Sequence, residues 1–334
     1  MKQILISLLA VAALASCSKS EETAPVNDGV IRIFTGVEND GTKAIVNAAS
    51  GMTEAAFVRK DAAASPSGDF SGGTVYKGAV AASTGKVTFS GSAPSYDQVD
   101  DHNAWFVAYC PANELSSDVV TWPIDGHTDI MVTDVIWDAG KYSAPLTGAS
   151  GAKLNFNHQL SQVEVVCKAE SGAALSVVKA AWGQITKIEF LAAPTTMTYT
   201  LTSAPTVATS GSAAFEMLKN YDDSDNAFAA IDIPANTNAA VNAVAMLAPV
   251  APTADESFKL KVYTAGPAGG SAIEVEVPVI LSGAASGSKP AMVKGQTHKV
   301  TLTFNADASN IAVSTSTIDD WQDGATGDSG LVKP

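Results

Sequence analysis

The sequence predicts an all-β protein made of two antiparallel β-sandwich domains in tandem. Three observations support this prediction: apolar and polar residues alternate in many short runs, clusters of Gly, Pro, Ser and Asp separate the runs, and helical periodicity is scarce. Alternation places every second side chain on one face of a strand. Many short strands with turn signals between them, without a strand–helix–strand rhythm, are typical of antiparallel sandwiches rather than of a parallel sheet.

The individual strands are marked by runs rich in Val, Thr and aromatic residues, which suit a pleated and half-buried surface. In the first half these runs cover residues 30–34, 74–78, 86–89, 104–110 and 129–133. In the second half they cover residues 154–168, 184–191, 197–202, 228–233, 241–247, 258–263, 273–281, 299–304 and 311–318. Short helices are expected only at residues 54–61 and 172–183.

The N-terminus predicts a lipoprotein signal peptide over residues 1–17. Lys2 supplies a positive charge, and the apolar run of residues 4–14 is too short to cross a bilayer about 30 Å thick as a helix. Two small residues precede Cys17, as a lipoprotein signal peptidase requires, so Cys17 is expected to carry the lipid. The alternative is an ordinary signal peptide in which Cys17 stands by chance.

Beyond the signal peptide, the chain has more residues than a domain with a single hydrophobic core usually contains, so two domains are expected. Residues 18–28 are polar and form an expected tether. The small residues at 146–152 separate two strand-rich halves. The N-terminal β-sandwich domain is therefore placed at residues 29–150 and the C-terminal β-sandwich domain at residues 151–334.

Composition and charge exclude two classes of protein. The net charge is −14, from 34 acidic and 20 basic residues, and no cluster of Lys and Arg offers a local exception. Such a surface repels phosphate backbones, so nucleic-acid binding is not expected. Hydrophobic residues make up 46% of the chain and charged residues only 16%, which excludes a wholly disordered chain.

Residues that carry enzyme or metal chemistry form no recognisable motif. No nucleophile elbow, zinc-protease helix or phosphate loop occurs. The four histidines lie in different segments: His102, His127, His158 and His298. The acidic runs at residues 97–101, 222–225 and 319–320 lack the glycine and the distal glutamate of a Ca²⁺-binding loop, so they are expected to be solvated. A carboxylate pair for glycoside hydrolysis depends on the fold and stays open. We therefore expect no enzyme, and no catalytic, cofactor or metal site.

Two cysteines besides Cys17 lie in apolar, strand-like runs. Cys110 ends one such run in the first half, and Cys167 ends another in the second half. Buried free thiols are the favoured interpretation, although two distant cysteines in an oxidising compartment could also pair.

One histidine lies in an apolar pattern. Alternation places His158 on the same face as Leu154, Phe156 and Leu160. A single histidine on such a face is most often a core residue whose ring fixes a neighbouring backbone group by a hydrogen bond. A ligand or base at His158 is the alternative.

The same run carries the first motif of a family resemblance. Phe156, His158 and Leu160 resemble the F-x-H-x-L strand of the fimbrillin-like family, the subunits of type V pili in anaerobic gram-negative bacteria. Residues 246–249 resemble the segment Met-Leu-Pro of that family, and residues 294–304 and 311–313 resemble its closing strands.

Two further motifs lie near the ends of the chain. Ile318 and Trp321 resemble the terminal I-x-x-W motif of the family, and Lys43 stands where many members carry the arginine of T-R-A. Lys43 thus departs from the usual residue, and the tail after Trp321 lacks the alternating apolar residues of a donor strand.

The resemblance implies transthyretin-like, Greek-key sandwiches in a lipoprotein of the outer membrane and surface fimbrium. Members are cleaved after a basic residue, for which Lys43 and Arg59 are the candidates here. Losing the first strand then creates a groove that a strand of another pilus subunit fills. Ile318 and Trp321 would anchor the end of the chain in the core. The partners would be other pilus subunits, in a homopolymer or heteropolymer, and host or bacterial surface ligands; the shaft, tip and anchor roles stay open.

Residues 30–34 are the expected removable strand. Ile31 and Ile33 would face a core, while Val30 and Phe34 would partly cover the other side. Residues 311–321 are the expected donor by elimination, because the residues after them are too polar.

A surface lipoprotein that binds glycan or another ligand, without forming polymers, is the alternative function. It would need an exposed aromatic platform. Trp122, Trp137 and Trp182 fall in or near expected loops and are the candidates, although scattered tryptophans in sandwiches more often pack in the core.

Overall fold

The computed structural model describes residues 29–37, 52–66, 69–81, 85–133, 136–145, 154–201, 205–220, 227–282 and 289–318. Within these ranges the chain forms 23 strands and one helix, and most strand pairs are antiparallel. The all-β prediction is therefore confirmed, while the count of two sandwiches stays a prediction.

The strands of the first half are short, apart from two long central strands. They are β1 (Thr35–Val37), β2 (Met52–Ala62), β3 (Thr74–Val80), β4 (Val87–Phe89), β5 (Asn103–Cys110), β6 (Leu115–Ser116), β7 (Val119–Pro123), β8 (Met131–Val132), β9 (Trp137–Asp138), β10 (Gly140–Lys141) and β11 (Ala144–Pro145).

The second half contains the longer strands and the helix. Its elements are β12 (Leu154–His158), β13 (Ser161–Ala169), α1 (Leu175–Trp182), β14 (Gln184–Ala193), β15 (Thr196–Thr200), β16 (Thr206–Ser210), β17 (Ala213–Glu216), β18 (Ile231–Asp232), β19 (Ala243–Leu247), β20 (Phe258–Thr264), β21 (Ile273–Val279), β22 (Thr297–Phe304) and β23 (Ile311–Ile318).

These strands form one large sheet and several smaller ones. The large sheet has the order β1-β12-β8-β5-β2-β3-β4, with β9 beside β5. The others are β19-β13-β22-β23, β17-β14-β20-β21 with β18 beside β14, β16-β15-β7-β6, and the pair β10-β11. Two pairs, β1 with β12 and β13 with β22, are parallel, which strand rhythm alone did not predict.

The large sheet separates two hydrophobic cores. On β2, Ala55 and Phe57 face a smaller core, whereas Ala56 and Val58 face a larger one. Because β2 lies in the middle of the sheet, it is apolar on both faces and does not alternate. The expected helix at residues 54–61 is therefore wrong: that run forms the interior of β2.

The expected single strand over residues 154–168 is two strands in different sheets. β12 belongs to the large sheet and β13 to the sheet of β19 and β22, and the chain crosses between them at Gln159 and Leu160. Strand pairing also crosses residue 150 where β7 pairs with β15. The domain division at residue 150 stays a prediction.

The helix predicted within residues 172–183 is confirmed as α1. Val178 and Trp182 lie four residues apart, on one face of the helix, and both are buried. Gly183 ends the helix with a positive φ of 69°, and a Cβ there would lie 2.3 Å from the carbonyl oxygen of Gly266. Only glycine fits this turn.

Most other strand predictions are correct in place and differ at the ends. The run at residues 228–233 keeps only the two residues of β18, and the run at 129–133 only those of β8. Strands β6, β7, β9, β10, β11, β16 and β17 were not predicted. Most of them are short. The exposed β16 is rich in polar residues, so its sequence shows little alternation between apolar and polar side chains.

The loop before β22 is hydrogen-bonded to the crossover between β12 and β13. Lys294 Nζ donates a hydrogen bond to Gln159 Oε1 at 2.6 Å, and the Gly295 N–H donates to the carbonyl oxygen of Leu160 at 2.8 Å. Ser161 Oγ donates to the carbonyl oxygen of Val293 at 2.6 Å.

His298 supports this loop from a buried position. Its Nε2 accepts a hydrogen bond from the Val293 N–H at 3.2 Å, and its Nδ1 has no partner among the described residues. Because burial disfavours the imidazolium, the pKa of His298 falls from 6.5 to about 4. The folded protein therefore requires a neutral ring.

The pKa shift predicts acid sensitivity. The unfolded chain binds a proton at His298 below pH 6.5, whereas the folded chain resists it down to about pH 4. The neutral ring makes its full contribution to the free energy of unfolding above pH 6.5. This contribution is lost as the pH falls to about 4, and the loss amounts to up to about 3 kcal/mol. Urea unfolding at several pH values should show this loss in the wild type and less of it in His298→Gln.

The difference between the two proteins isolates the imidazole, because the carboxyl groups titrate in both. His102→Gln, at a half-buried histidine, is the matched control for the loss of an imidazole elsewhere in the protein. Parallel pH profiles for the wild type and His298→Gln would contradict this account of the ring.

Candidate functional site

The first segment, residues 29–37, runs along the large sheet at the position where the removable strand was expected. It forms isolated bridges at Val30 with Ser95 and at Phe34 with Lys86, and it continues into β1. The expected strand over residues 30–34 is thus replaced by bridged, extended chain, and the regular strand begins at Thr35.

Backbone hydrogen bonds hold one side of the first segment against residues 85–96. They join the Ile31 N–H to the Pro94 carbonyl (2.8 Å), the Tyr96 N–H to the Gly29 carbonyl (2.7 Å), the Val87 N–H to the Ile33 carbonyl (3.1 Å) and the Thr35 N–H to the Gly85 carbonyl (2.8 Å).

The other side of the segment is held by β12. Residues of β1 pair with it in parallel, with Thr35 opposite Leu154 and Val37 opposite Phe156. The Leu154 N–H also donates to the Phe34 carbonyl at 3.2 Å. The first segment therefore closes the sheet between β4 and β12, which would otherwise be its two open edges.

The side chains of the segment alternate as the sequence predicted. Ile31 and Ile33 are each 1% exposed and belong to the smaller core, whereas Arg32 between them is exposed. Val30 and Phe34 are half-buried. The prediction that Ile31 and Ile33 fill a core is confirmed.

Packing between the first segment and β4 is incomplete. A pocket of about 210 Å³, open to solvent, lies between them, and it is lined mostly by apolar residues that include Val30, Val87 and Phe89. At its end the two chains approach so closely that a Cβ on Gly85 would lie 2.0 Å from the Thr35 carbonyl oxygen. Gly85 has a φ of 65°, so this approach requires glycine.

Arg59, one of the two cleavage candidates, lies inside β2 and is 7% exposed. Its Nε donates to Asp61 Oδ1 at 2.9 Å, and its Nη1 donates to the Ser95 carbonyl oxygen at 2.5 Å. Ser95 is the residue bridged to Val30. Arg59 therefore supports the chain on which the first segment rests, and cleavage after it would require β2 to leave the sheet.

The F-x-H-x-L motif connects the two cores. Phe156, opposite Val37, is buried in the smaller core, with its ring edge-on to Phe57 at 6.3 Å. Leu160, beyond the crossover, is buried in the larger core. Between them, His158 Nδ1 lies 2.7 Å from Asp129 Oδ2. A carboxylate therefore orients this ring, a partner that the sequence did not indicate.

Most of the residues predicted near the ends of the chain lie beyond the part that the structure describes. Cys17, Lys43 and Trp321 lie outside the described residues. Ile318 ends β23, opposite Thr297. All eight residues of β23 pair with β22, so the expected donor already completes a sheet of its own chain.

The tryptophans expected for a binding platform are buried. Trp122 is 3% exposed, Trp137 5% and Trp182 0%. Trp182 packs edge-on against Phe304, with ring centroids 5.3 Å apart. These three residues therefore do not form the aromatic surface that the glycan-binding alternative needs.

Reactive and ligand-binding groups are sparse in the described part of the chain. No three His, Cys, Asp or Glu residues lie together there in a way that could hold a metal ion, and no helix there is long and apolar enough to cross a membrane. Cys110 and Cys167 are buried free thiols. Burial raises the pKa of both thiols, that of Cys167 to about 12, which keeps them protonated and unreactive.

The comparison with protein families gives one match, to the fimbrillin-like family, over residues 45–321. The chain belongs to this family. Its family resemblance, first seen in short motifs, is therefore confirmed. The comparison with curated proteins found no match.

Solved structures from Bacteroides and Parabacteroides share the fold of this fimbrillin-like protein. One, described as a candidate cell adhesion protein from Bacteroides uniformis, is 17% identical, with a TM-score of 0.53 over 88% of this chain and 100% of that one. Similar candidates come from Bacteroides ovatus (12%, TM-score 0.54, covering 89% and 99%) and Parabacteroides distasonis (9%, TM-score 0.52, covering 90% and 99%). At such identities the likeness concerns the fold alone.

Proposed function

We propose that this fimbrillin-like chain is a cell-surface pilus subunit or pilus-associated adhesin, held at the outer membrane by lipid on Cys17. The observation that carries the proposal is the first segment, which fills the smaller core with Ile31 and Ile33 and closes the sheet between β4 and β12. Cleavage after Lys43 would release it, and a strand of another subunit would take its place.

The first segment has the properties of an exchangeable strand. It is attached by a short row of backbone hydrogen bonds, which any extended chain can make, and by alternating apolar side chains. Burying Ile31 and Ile33 is worth roughly 1.5–3 kcal/mol each, so an empty groove would be costly and an incoming strand favoured. The family match begins at residue 45, just beyond Lys43, which agrees with a shared core that starts after the cleavage point.

The structure supports a role of this chain as strand acceptor more than a role as strand donor. Donation by β23 would first break its eight-residue pairing with β22. We therefore propose that the groove of this chain receives a strand, and that a different subunit or a detached β23 supplies it. Adhesion targets on host or bacterial surfaces would be reached through the assembled pilus.

Electrophoresis of surface extracts in detergent without heating tests this function. We expect a ladder of polymers containing this chain, and loss of the ladder in Lys43→Gln, because the first segment then stays in the groove. Lys60→Gln, a substitution of a half-buried lysine on β2, is the control and should keep the ladder. Monomers alone in the wild type would overturn the proposal.

A further inference from the structure

The edge strand β16 carries a second, independent assembly feature. It ends the sheet β16-β15-β7-β6, and no described strand pairs with its outer side. One face of this sheet packs in the larger core through Val120, Trp122, Met197 and Tyr199. On the opposite face the side chains of β15 are half-buried, whereas β16 itself is exposed except for the half-buried Val207.

The outer face of this sheet is uncharged throughout. The strand registers place ten residues of the four strands there: Thr196, Thr198 and Thr200 on β15, Val119, Thr121 and Pro123 on β7, Thr206, Ala208 and Ser210 on β16, and Ser116 on β6. The chain as a whole has a net charge of −14. Two copies therefore repel one another over most orientations, whereas the uncharged edge strand β16 is a place where they can meet without opposing carboxylates.

Other long edges in the described part of the chain are protected against pairing. β21 carries Glu274, Glu276 and Pro278, and β17 ends in Glu216. β4 is covered by the first segment, and β19 is bridged by Leu218 and Gly126. β23 is approached by residue 280, whose carbonyl accepts a hydrogen bond from Thr315 Oγ1 at 2.9 Å. Charges, proline and coverage are the usual means of blocking edge-to-edge pairing, and among the described residues β16 has none of them.

We propose that β16 is a self-association edge, through which two copies of this chain pair antiparallel with Ala208 opposite Ala208. This register uses all five residues, since Thr206 then faces Ser210 of the other copy. The two four-stranded sheets join into one continuous sheet with an uncharged outer face. Because the contact is isologous, it closes at a dimer and does not propagate.

The contact is small, so association is weak. Five residues on each side bury far less than the roughly 1,200 Å² of a stable complex, which places the dimer among transient encounters. Salt should strengthen it, because screening weakens the repulsion between two acidic copies over distances beyond about 10 Å at 0.1 M. The proposal does not depend on the pilus function, since it concerns a different edge of the protein.

Sedimentation equilibrium of the purified protein tests the proposal, with Cys17→Ser in every sample so that no lipid is attached. The wild type should form a reversible dimer at high concentration. Ala208→Lys and Ala208→Glu should each weaken association at least tenfold, because like charges then lie directly opposite across the pair. An equimolar mixture of the two variants should restore the dimer. Ala312→Lys, at an exposed position on β23, is the control and should behave as the wild type.

Three results would overturn the proposal. One is a wild type that remains monomeric at about 1 mM, where a contact worth only about 4 kcal/mol would still be half populated. Another is a mixture of Ala208→Lys and Ala208→Glu that stays monomeric, because the pairing would then not place residue 208 opposite itself. The third is open-ended aggregation, since the isologous contact allows only dimers.

Discussion

Replacing Ile31 and Ile33 together by alanine is expected to release the first segment from the large sheet. Each side chain is 1% exposed in the smaller core. Loss of a buried isoleucine to alanine costs about 2–5 kcal/mol. Under the proposed function the segment leaves without the rest of the chain unfolding, so the loss should appear mainly as local opening rather than as the full sum in global stability.

Amide hydrogen exchange measures this opening directly. The amides of Ile31, Thr35 and Val87 donate the bonds that hold the segment, and their exchange should accelerate at least a hundredfold, since about 2.7 kcal/mol already corresponds to that factor. Thr88→Ser lies on β4 beside the segment with an exposed side chain and should leave exchange nearly unchanged. Equal protection in the wild type and the double variant would show that the segment is held by something other than its two isoleucines.

Trp182→Ala is expected to lower the free energy of unfolding by about 3–5 kcal/mol. The indole is fully buried, packs edge-on against Phe304, and donates from Nε1 to the Asn305 carbonyl oxygen at 2.7 Å. Trp182→Phe should cost less, about 1–3 kcal/mol, because it keeps an aromatic ring but leaves the Asn305 carbonyl without its donor.

The midpoint of urea unfolding, compared at constant slope, reports both losses. Val177→Ala, at a residue on the same helix that is 50% exposed, should stay within about 0.5 kcal/mol of the wild type. A Trp182→Ala variant as stable as Val177→Ala would mean that the indole faces solvent, and the aromatic platform of a glycan-binding protein would return as an explanation.

Alternation and helical spacing were sufficient to predict much of this fold. Ile31 and Ile33 lie two residues apart, and the structure buries both and exposes Arg32. Val178 and Trp182 lie four residues apart on α1. Applied to Trp182, the same helical spacing would have placed the indole in the core instead of a loop. Each of these patterns is local, so it can be seen in one stretch of sequence.

Features that depend on distant strands could not be predicted in this way. β2 lies between two cores, so it is apolar on both faces, and its sequence lacks the alternation that would distinguish it from a helix. Residues 154–168 look like one strand because nothing local marks the crossover at Leu160, which depends on the loop before β22. Asp129 meets His158, and Arg59 meets the Ser95 carbonyl, only because separate strands bring them together.

The central claim is that the first segment occupies a groove that can accept a strand from outside. It is tested most directly by protein truncated to begin at Ala44, titrated with a peptide of residues 29–37 and followed by calorimetry. We expect saturable binding of one peptide per chain, lost when Ile31 and Ile33 of the peptide are replaced by aspartate. Ala208→Lys in the truncated protein excludes any contribution from β16. A truncated chain that folds but binds neither peptide would contradict the account, because the groove would then not accept the strand it was built around.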